Sequence, residues 1–172
     1  ESFETLFEHA STVAAGSEGL LFVPYLLGER APIWDASAKG TLLGIQIIHT
    51  QAHFIRATME GILFGLLNIL EILIPEKESR EQYTLMASGG FAKSEIWLQM
   101  AADVFQMKVE VAETVEASAW GAVLIGFKAT GIEPLISDGN GKVFFPTEQH
   151  KSIYEQCFAK FKRVYPLLKE LE

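Results

Sequence analysis

The chain has 172 residues, 49% of them hydrophobic and 21% charged, with 22 acidic against 14 basic groups and a net charge of −8. That length fits one domain, 1–172, able to bury about 70% of its unfolded surface. The acidic balance argues against a nucleic-acid or anionic-membrane partner, since both select basic patches. Cys157 is the only cysteine, which excludes a disulfide framework and a thiolate metal cluster and fits a reducing, cytoplasmic setting. The longest apolar run, 62–74, is broken by Gly65, Asn68 and Glu71 and falls short of the ~20 residues a membrane span needs. No signal peptide is visible, and a start at Glu1 without methionine, inside a helical pattern, reads as a piece of a longer protein.

In chain order, Phe3, Leu6, Phe7 and Ala10 recur at helical spacing and predict a short amphipathic helix ended by Gly16 and Gly19. The run from Leu20 to Leu27, interrupted by Pro24, reads as a buried strand, and Gly28–Asp35 as a loop pinned by Pro32 and an Asx-type bond from Asp35. Thr41–Ile48 reads as a second strand. After Thr50 as N-cap, Ala52–Ile74 is apolar on nearly every side and predicts a long buried helix, stopped by Pro75. Arg56 and Glu60 lie four apart on one face, read as an exposed, self-paired ion pair, with a cleft position as the alternative. Glu76–Glu81 is a charged, solvated loop.

Further on, Tyr83–Ala87 is a short β-tolerant run broken by Gly89-Gly90, and from Ser94 the apolar residues Ile96, Trp97, Met100, Ala101 and Val104 recur at helical spacing. This strand, glycine turn and helix start form the stretch that points to chemistry. Such a junction aims free N–H groups and the positive end of a helix at the turn, and paired glycines let an anion, usually phosphate, approach the main chain. The turn is neither a Walker A loop, because Ala87 and Ala92 stand where that motif has glycine, nor a dinucleotide fingerprint, because Gly89 and Gly90 are adjacent. An empty tight turn is the structural alternative. Lys108–Val111 reads as a strand, and Thr114 caps a helix reaching Thr130 with Gly131 as its C-cap. The small residues Ala117, Ser118, Ala119, Gly121 and Ala122 predict tight helix-on-sheet packing. Asp138-Gly139-Asn140-Gly141 suggests a small hairpin before a last helix, capped by Thr147, whose apolar face is Ile153, Tyr154, Cys157, Phe158, Phe161 and Val164, with Pro166 expected to kink or end it.

The string S-G-G-F-A-K-S-E-I-W-L-Q-M-A-A-D at 88–103 resembles the second signature of the FGGY carbohydrate kinases, a Gly-Gly pair with Ser or Asn four residues on, then Trp-x-Gln and Ala-Asp. Three further blocks agree in the family's order: L-F-V-P-Y-L-L-G-E-R-A-P-I-W-D at 21–35, R-A-T-M-E-G at 56–61 and E-A-S-A-W-G-A-V at 116–123. The resemblance implies an α/β fold, the actin-like, ribonuclease H-like carboxy-terminal ATPase lobe, with a mixed sheet flanked by helices. It implies ATP-dependent phosphorylation of a sugar or sugar-acid hydroxyl, with Mg²⁺. The F-A-K-S-E-x-W wording is most similar to gluconokinases, which convert D-gluconate to 6-phosphogluconate; xylulokinases come next. Carried over by position, Gly89 and Gly90 would present backbone to the nucleotide, Phe91 and Ala92 would line the turn, and Ser94 would stand beside the nucleoside. Lys93 is not assigned a catalytic role, and Glu116 and Ser118 border the implied cleft. The sugar site and the aspartate general base would belong to an amino-terminal lobe absent from this chain, so the 172 residues alone are expected to be inactive. A homodimer is left open. The rival from another class is a non-catalytic actin-like nucleotide-binding module, which does not account for the G-E-R-A-P-x-W-D and W-x-Q-x-x-A-D blocks.

Other chemistry is weaker. His49 and His53 have the spacing of two metal ligands on a helix but lack the glutamate of H-E-x-x-H and a third ligand. His9 and His150 stand alone in sequence. G-x-S-x-G is absent, and Trp34, Trp97 and Trp120 read as core or interface aromatics.

Overall fold

The computed structural model describes residues 2–76, 80, 82–112, 117–132 and 141–171, with backbone only for 117, 118 and 120. Its elements are α1 (Phe3–Ser11), β1 (Leu21–Val23), β2 (Thr41–Leu43), α2 (Gln51–Leu73), β3 (Thr84–Ala87), α3 (Glu95–Phe105), β4 (Lys108–Val111), α4 (Ala117–Thr130), β5 (Val143–Phe144) and α5 (Glu148–Lys169). Two sheets form. β1 and β2 pair antiparallel, Phe22 opposite Leu42, while β3, β4 and β5 make a mixed sheet in that order. Within it β3 and β4 run parallel, Leu85 opposite Val109, with α3 as the crossover; β5 returns antiparallel. The hairpin reading and the Thr114 cap lie largely outside the described residues.

α2 is the central packing element. Its faces carrying Met59, Leu63, Phe64, Leu67 and Leu70 are buried against β1, α1, α3 and α5. α5 answers with Tyr154, Phe158, Phe161 and Val164, and Phe64 meets three of these rings at centroid distances of 5.6–6.2 Å. Gly61 is where α2 touches β1: a Cβ there would lie 2.2 Å from the carbonyl oxygen of Phe22, so only glycine lets the two backbones approach.

The exposed ion pair expected at Arg56 and Glu60 is instead buried, at 8% and 2% exposure. Arg56 Nε donates to Glu60 Oε1 at 2.8 Å, and another guanidinium N–H donates to the Tyr154 hydroxyl at 2.9 Å. Glu60 also accepts from the N–H of Gly16 at 2.9 Å, the hydroxyl of Ser17 at 2.9 Å and the hydroxyl of Tyr154 at 3.1 Å. Burial, then the Glu60 charge, pushes the Tyr154 phenol far up, so it stays a neutral donor. Spacing on α2 could not reveal this, because the partners come from residues more than 40 positions away in either direction. The carboxylate also straps down an unusual turn: Gly16, Ser17, Glu18 and Gly19 all have positive φ (82, 49, 50 and 91°). Such a left-handed turn costs L-residues on the order of 1–2 kcal/mol each, and the Glu60 bonds at Gly16 and Ser17 offset it.

Several boundaries moved. α1 ends at Ser11, before either glycine. The strand expected over 20–27 stops at Val23, because Pro24 cannot donate to a ladder. The strand expected over 41–48 stops at Leu43, because Gly44 turns left-handed (φ 83°) and a Cβ there would meet the Gly19 carbonyl at 2.6 Å. α2 is buried on one side only: Leu66, Ile72 and Leu73 are exposed. Pro166 does not end α5, which runs on to Lys169. Its missing N–H falls near the helix end on an exposed side, and the last turn is held from outside by Asp35. That carboxylate accepts from Tyr165 Oη at 2.6 Å and Lys169 Nζ at 3.0 Å, beside the expected Asx bond to Ser37 N at 2.8 Å. Trp34, read as a core or interface aromatic, is 77% exposed and so is not core in this chain.

Candidate functional site

β3 ends at Ala87, and the chain turns at Gly89 with φ 75° and ψ −157°, a conformation only glycine adopts without strain. A one-turn 3₁₀ segment, Gly90–Lys93, then intervenes before α3, so the glycines do not feed the α-helix directly as the sequence suggested. Ala92 N–H donates to the Gly89 carbonyl at 3.2 Å and Ser94 N–H to that of Phe91 at 3.2 Å. The N–H groups of Gly90 and Phe91, first in the turn, meet no acceptor among the described residues. Ser94 is the N-cap of α3: its hydroxyl accepts from Trp97 N–H at 3.5 Å and its carbonyl from Leu98 N–H at 3.1 Å. The first donors of α3 are therefore partly taken, and the unbonded N–H groups lie in the 3₁₀ turn instead.

The remaining predicted residues sort by direction. The Phe91 ring is turned into the core against Trp97, centroids 5.5 Å apart, and Trp97 in turn stands edge-on to Phe7. Ala92 also packs on the core, so both residues hold the turn in place and offer main chain rather than side chain at its mouth. Lys93 is exposed. Around Gly89 and Gly90 an added Cβ would find no protein atom within 4 Å. At Gly89 the backbone explains the glycine. At Gly90 neither a positive φ nor close protein packing does, which is the feature expected of a cradle a bulky anion would enter.

The polar residues of the signature that sequence reasoning could not assign have a scaffolding task. Asp103 is buried at 3% exposure and accepts from Thr147 N–H at 2.7 Å and Gln99 Nε2 at 3.0 Å; its other oxygen meets His150 Nδ1 at 2.8 Å. Gln99 also donates to the Phe145 carbonyl at 2.9 Å. These bonds clamp the start of α5 to α3, and His150, solitary in sequence, belongs to that clamp. The metal reading of His49 and His53 fails on geometry. Each ring accepts a backbone N–H on Nδ1, from Gln46 at 3.0 Å and Thr50 at 3.1 Å, which leaves Nε2 carrying the proton of the neutral ring. Among the described residues no group of three or more His, Cys, Asp or Glu could hold a metal ion.

α4 departs from expectation. Its C-terminus closes as foreseen, Gly131 at φ 72° with Gly131 N–H on the Lys128 carbonyl and Ile132 N–H on that of Phe127. Yet among the described residues the expected tight packing is not seen: an added Cβ at Gly121 or Gly126 meets nothing, and Ile125 is 72% exposed. Glu116 lies outside the described residues, as does the Ser118 side chain. A cavity of about 720 Å³ opens at the other end of β3 and β4, between α2 and α5; its rim mixes Arg80 and Lys108 with Glu71 and Glu148, and it includes none of the turn residues.

Residues 1–130 match the FGGY family of carbohydrate kinases, C-terminal domain, and the chain belongs to that family. It is 40% identical over 131 residues to the gluconokinase of Bacillus subtilis, a stretch covering 76% of this chain and 25% of that protein. It is 35% identical over 179 residues to the xylulose kinase of the same organism, covering 99% of this chain and 35% of that protein. Among solved structures, the ligand-bound xylulose kinase from Lactobacillus acidophilus superposes with a TM-score of 0.84 at 31% identity, over 98% of this chain and 35% of that one. Gluconate kinase from the same species gives 0.83 at 31% identity, with the same coverage. The fold is thus the actin-like ATPase type. The chain spans about a quarter to a third of the length of the relatives it matches.

Proposed function

We propose that residues 1–172 form one lobe, the ATP-binding side of the cleft, in a carbohydrate kinase that phosphorylates a sugar or sugar-acid hydroxyl. Gly90 is the observation that carries this reading, since nothing among the described residues requires glycine there. Family membership supports a nucleotide phosphate as the anion. ATP supplies the transferable phosphoryl group, and Mg²⁺ supplies charge neutralisation on its phosphates. The chain's own residues position. Gly89 turns the main chain, and Gly90 and Phe91 present unbonded N–H groups. Phe91 and Ala92 lock the turn to the core, while Ser94, capping α3, fixes where the positive end of that helix sits. Lys93 is left without a catalytic role.

The general base for the sugar's acceptor hydroxyl and the sugar contacts belong to residues outside this chain, in an amino-terminal lobe that closes the cleft. D-gluconate is our first substrate, favoured by the F-A-K-S-E-I-W wording and the 40% identity to a gluconokinase. Xylulose is second, favoured by similarity along 99% of the chain. A cytoplasmic location belongs to the same reading, supported by the single cysteine; no helix among the described residues is long and apolar enough to cross a membrane.

The test is ADP release by the full-length protein with ATP, Mg²⁺ and, separately, D-gluconate, D-xylulose, L-ribulose and glycerol. Release with one sugar only is the expected result and identifies the acceptor. Nucleotide binding without release for any sugar would replace the kinase by the non-catalytic module.

A further inference from the structure

The segment between β2 and α2 is held by two imidazoles acting as acceptors. His49 Nδ1 takes the N–H of Gln46 at 3.0 Å, and His53 Nδ1 reaches back to the N–H of Thr50, the N-cap of α2, at 3.1 Å. His53 thus occupies the place that Glu or Gln takes in a capping box. Histidine differs from those residues in one respect: it is the side chain that ordinarily changes charge between about pH 5 and 8. Protonation converts Nδ1 from acceptor to donor. The Thr50 hydroxyl, 2.9 Å away, can rotate to accept the new proton, but a backbone N–H cannot, so the reach-back bond is lost.

His53 has a second partner waiting on its other nitrogen. Glu18 Oε2 lies 3.7 Å from His53 Nε2, held there by the left-handed turn that Glu60 straps down. The surrounding charges can be enumerated. Beside Glu18 stand His49, with ring centroid 5.3 Å from that of His53, and the N-terminal end of α2. Arg56, one turn on, is committed to Glu60, Tyr154 and the Ala10 carbonyl. Glu4, Glu8 and His9 of α1 are bonded to neither ring among the described residues. Among the described residues the buried His49 Nε2 has no hydrogen-bond partner.

We infer that His49 and His53 form an acid-sensitive clasp at the entry to α2, with His53 exchanging a backbone cap for an ion pair with Glu18 when protonated. The neutral rings make the caps, so the clasp is closed at higher pH and opens as pH falls. Opening frees the 44–50 segment, whose Ile45, Ile47 and Ile48 are already exposed, while the α2 core below Ala57 stays packed.

The test is hydrogen exchange of the full-length protein, followed by mass spectrometry on peptides spanning 44–55 and corrected for intrinsic rates. Between pH 8 and pH 5.5 the protection of this segment should fall by about tenfold or more in the wild type. The double variant His49→Gln/His53→Gln, whose amide oxygens accept at every pH, should hold its protection within about twofold. The variant Glu18→Gln should move the midpoint of the wild-type loss to lower pH, because the protonated ring loses its partner. Equal acid sensitivity of wild type and double Gln variant, or no loss in the wild type, would overturn the clasp. A double Gln variant that fails to fold still leaves the wild-type profile and the Glu18→Gln displacement to decide it.

Discussion

Glycines in this chain serve two opposite purposes, and Gly141, whose Cβ would lie 2.0 Å from the Val111 carbonyl oxygen, is of the packed kind although it borders β5. In the α2 half, glycines sit where protein backbone presses close: Gly61 on the Phe22 carbonyl, Gly44 on that of Gly19, and Gly28 at 2.7 Å from the backbone of Ala36. In the half that holds the turn and α4, Gly89, Gly90, Gly121 and Gly126 face open space. The buried Arg56–Glu60–Tyr154 network repeats the contrast, every partner satisfied from within the chain, whereas the N–H groups of Gly90 and Phe91 await one. Residues in the first half serve the fold. Gly90, Gly121 and Gly126 answer to no such requirement among the described residues.

The largest expected effect comes from breaking the closed half. Glu60→Ala leaves the Arg56 guanidinium buried without its carboxylate and releases the left-handed turn, and should cost about 3–5 kcal/mol in urea unfolding of the full-length protein. Gly61→Ala should cost at least about 2 kcal/mol, because the Phe22 carbonyl is backbone and cannot rotate away. Asp103→Ala strands the Thr147 N–H and frees the start of α5, for about 1–3 kcal/mol by the same assay. If either helix-face variant is neutral, the close packing described for that half is wrong.

Much of this contrast was legible beforehand, and the failures share one cause. α2, α3, α5 and the Gly131 cap follow from periodicity and capping chemistry, which act over a few residues. The Gly89-Gly90 turn was legible for the same reason, though the 3₁₀ segment at Gly90–Lys93 was not, because four residues are too few to show a periodicity of their own. Glu60 was misjudged since four of its bonds arrive from residues 16, 17, 56 and 154, three of them distant in sequence. The strands over 20–27 and 41–48 were drawn too long because an apolar run does not say where pairing stops; Pro24 and Gly44 do. α4 was read as packed because small residues suit packing, but no described element of this chain covers them.

A smaller effect concerns acid. Hydrogen bonds from Ser37, then Tyr165 and Lys169, hold the Asp35 carboxyl well below the usual carboxylate range. A depressed folded value contributes stability above the unfolded value of about 4 and loses it as pH falls toward the folded one. Asp35→Asn should therefore lower Tm most at neutral pH and progressively less below about pH 4, flattening the acid limb of Tm against pH. An unaltered acid limb would show that Asp35 is not tied to α5 in solution.

The most direct test of the open half is Gly90→Ala in the full-length protein, reading Tm and the KM for ATP with the best sugar saturating. A methyl group there meets no protein atom, so Tm should stay within a degree or two, corresponding to about 0.5 kcal/mol. The KM for ATP should rise about tenfold or more, the loss of roughly 1.4 kcal/mol of binding, with the KM for sugar unchanged. A normal Tm with an unchanged KM for ATP would mean that the glycine turn does not meet the nucleotide.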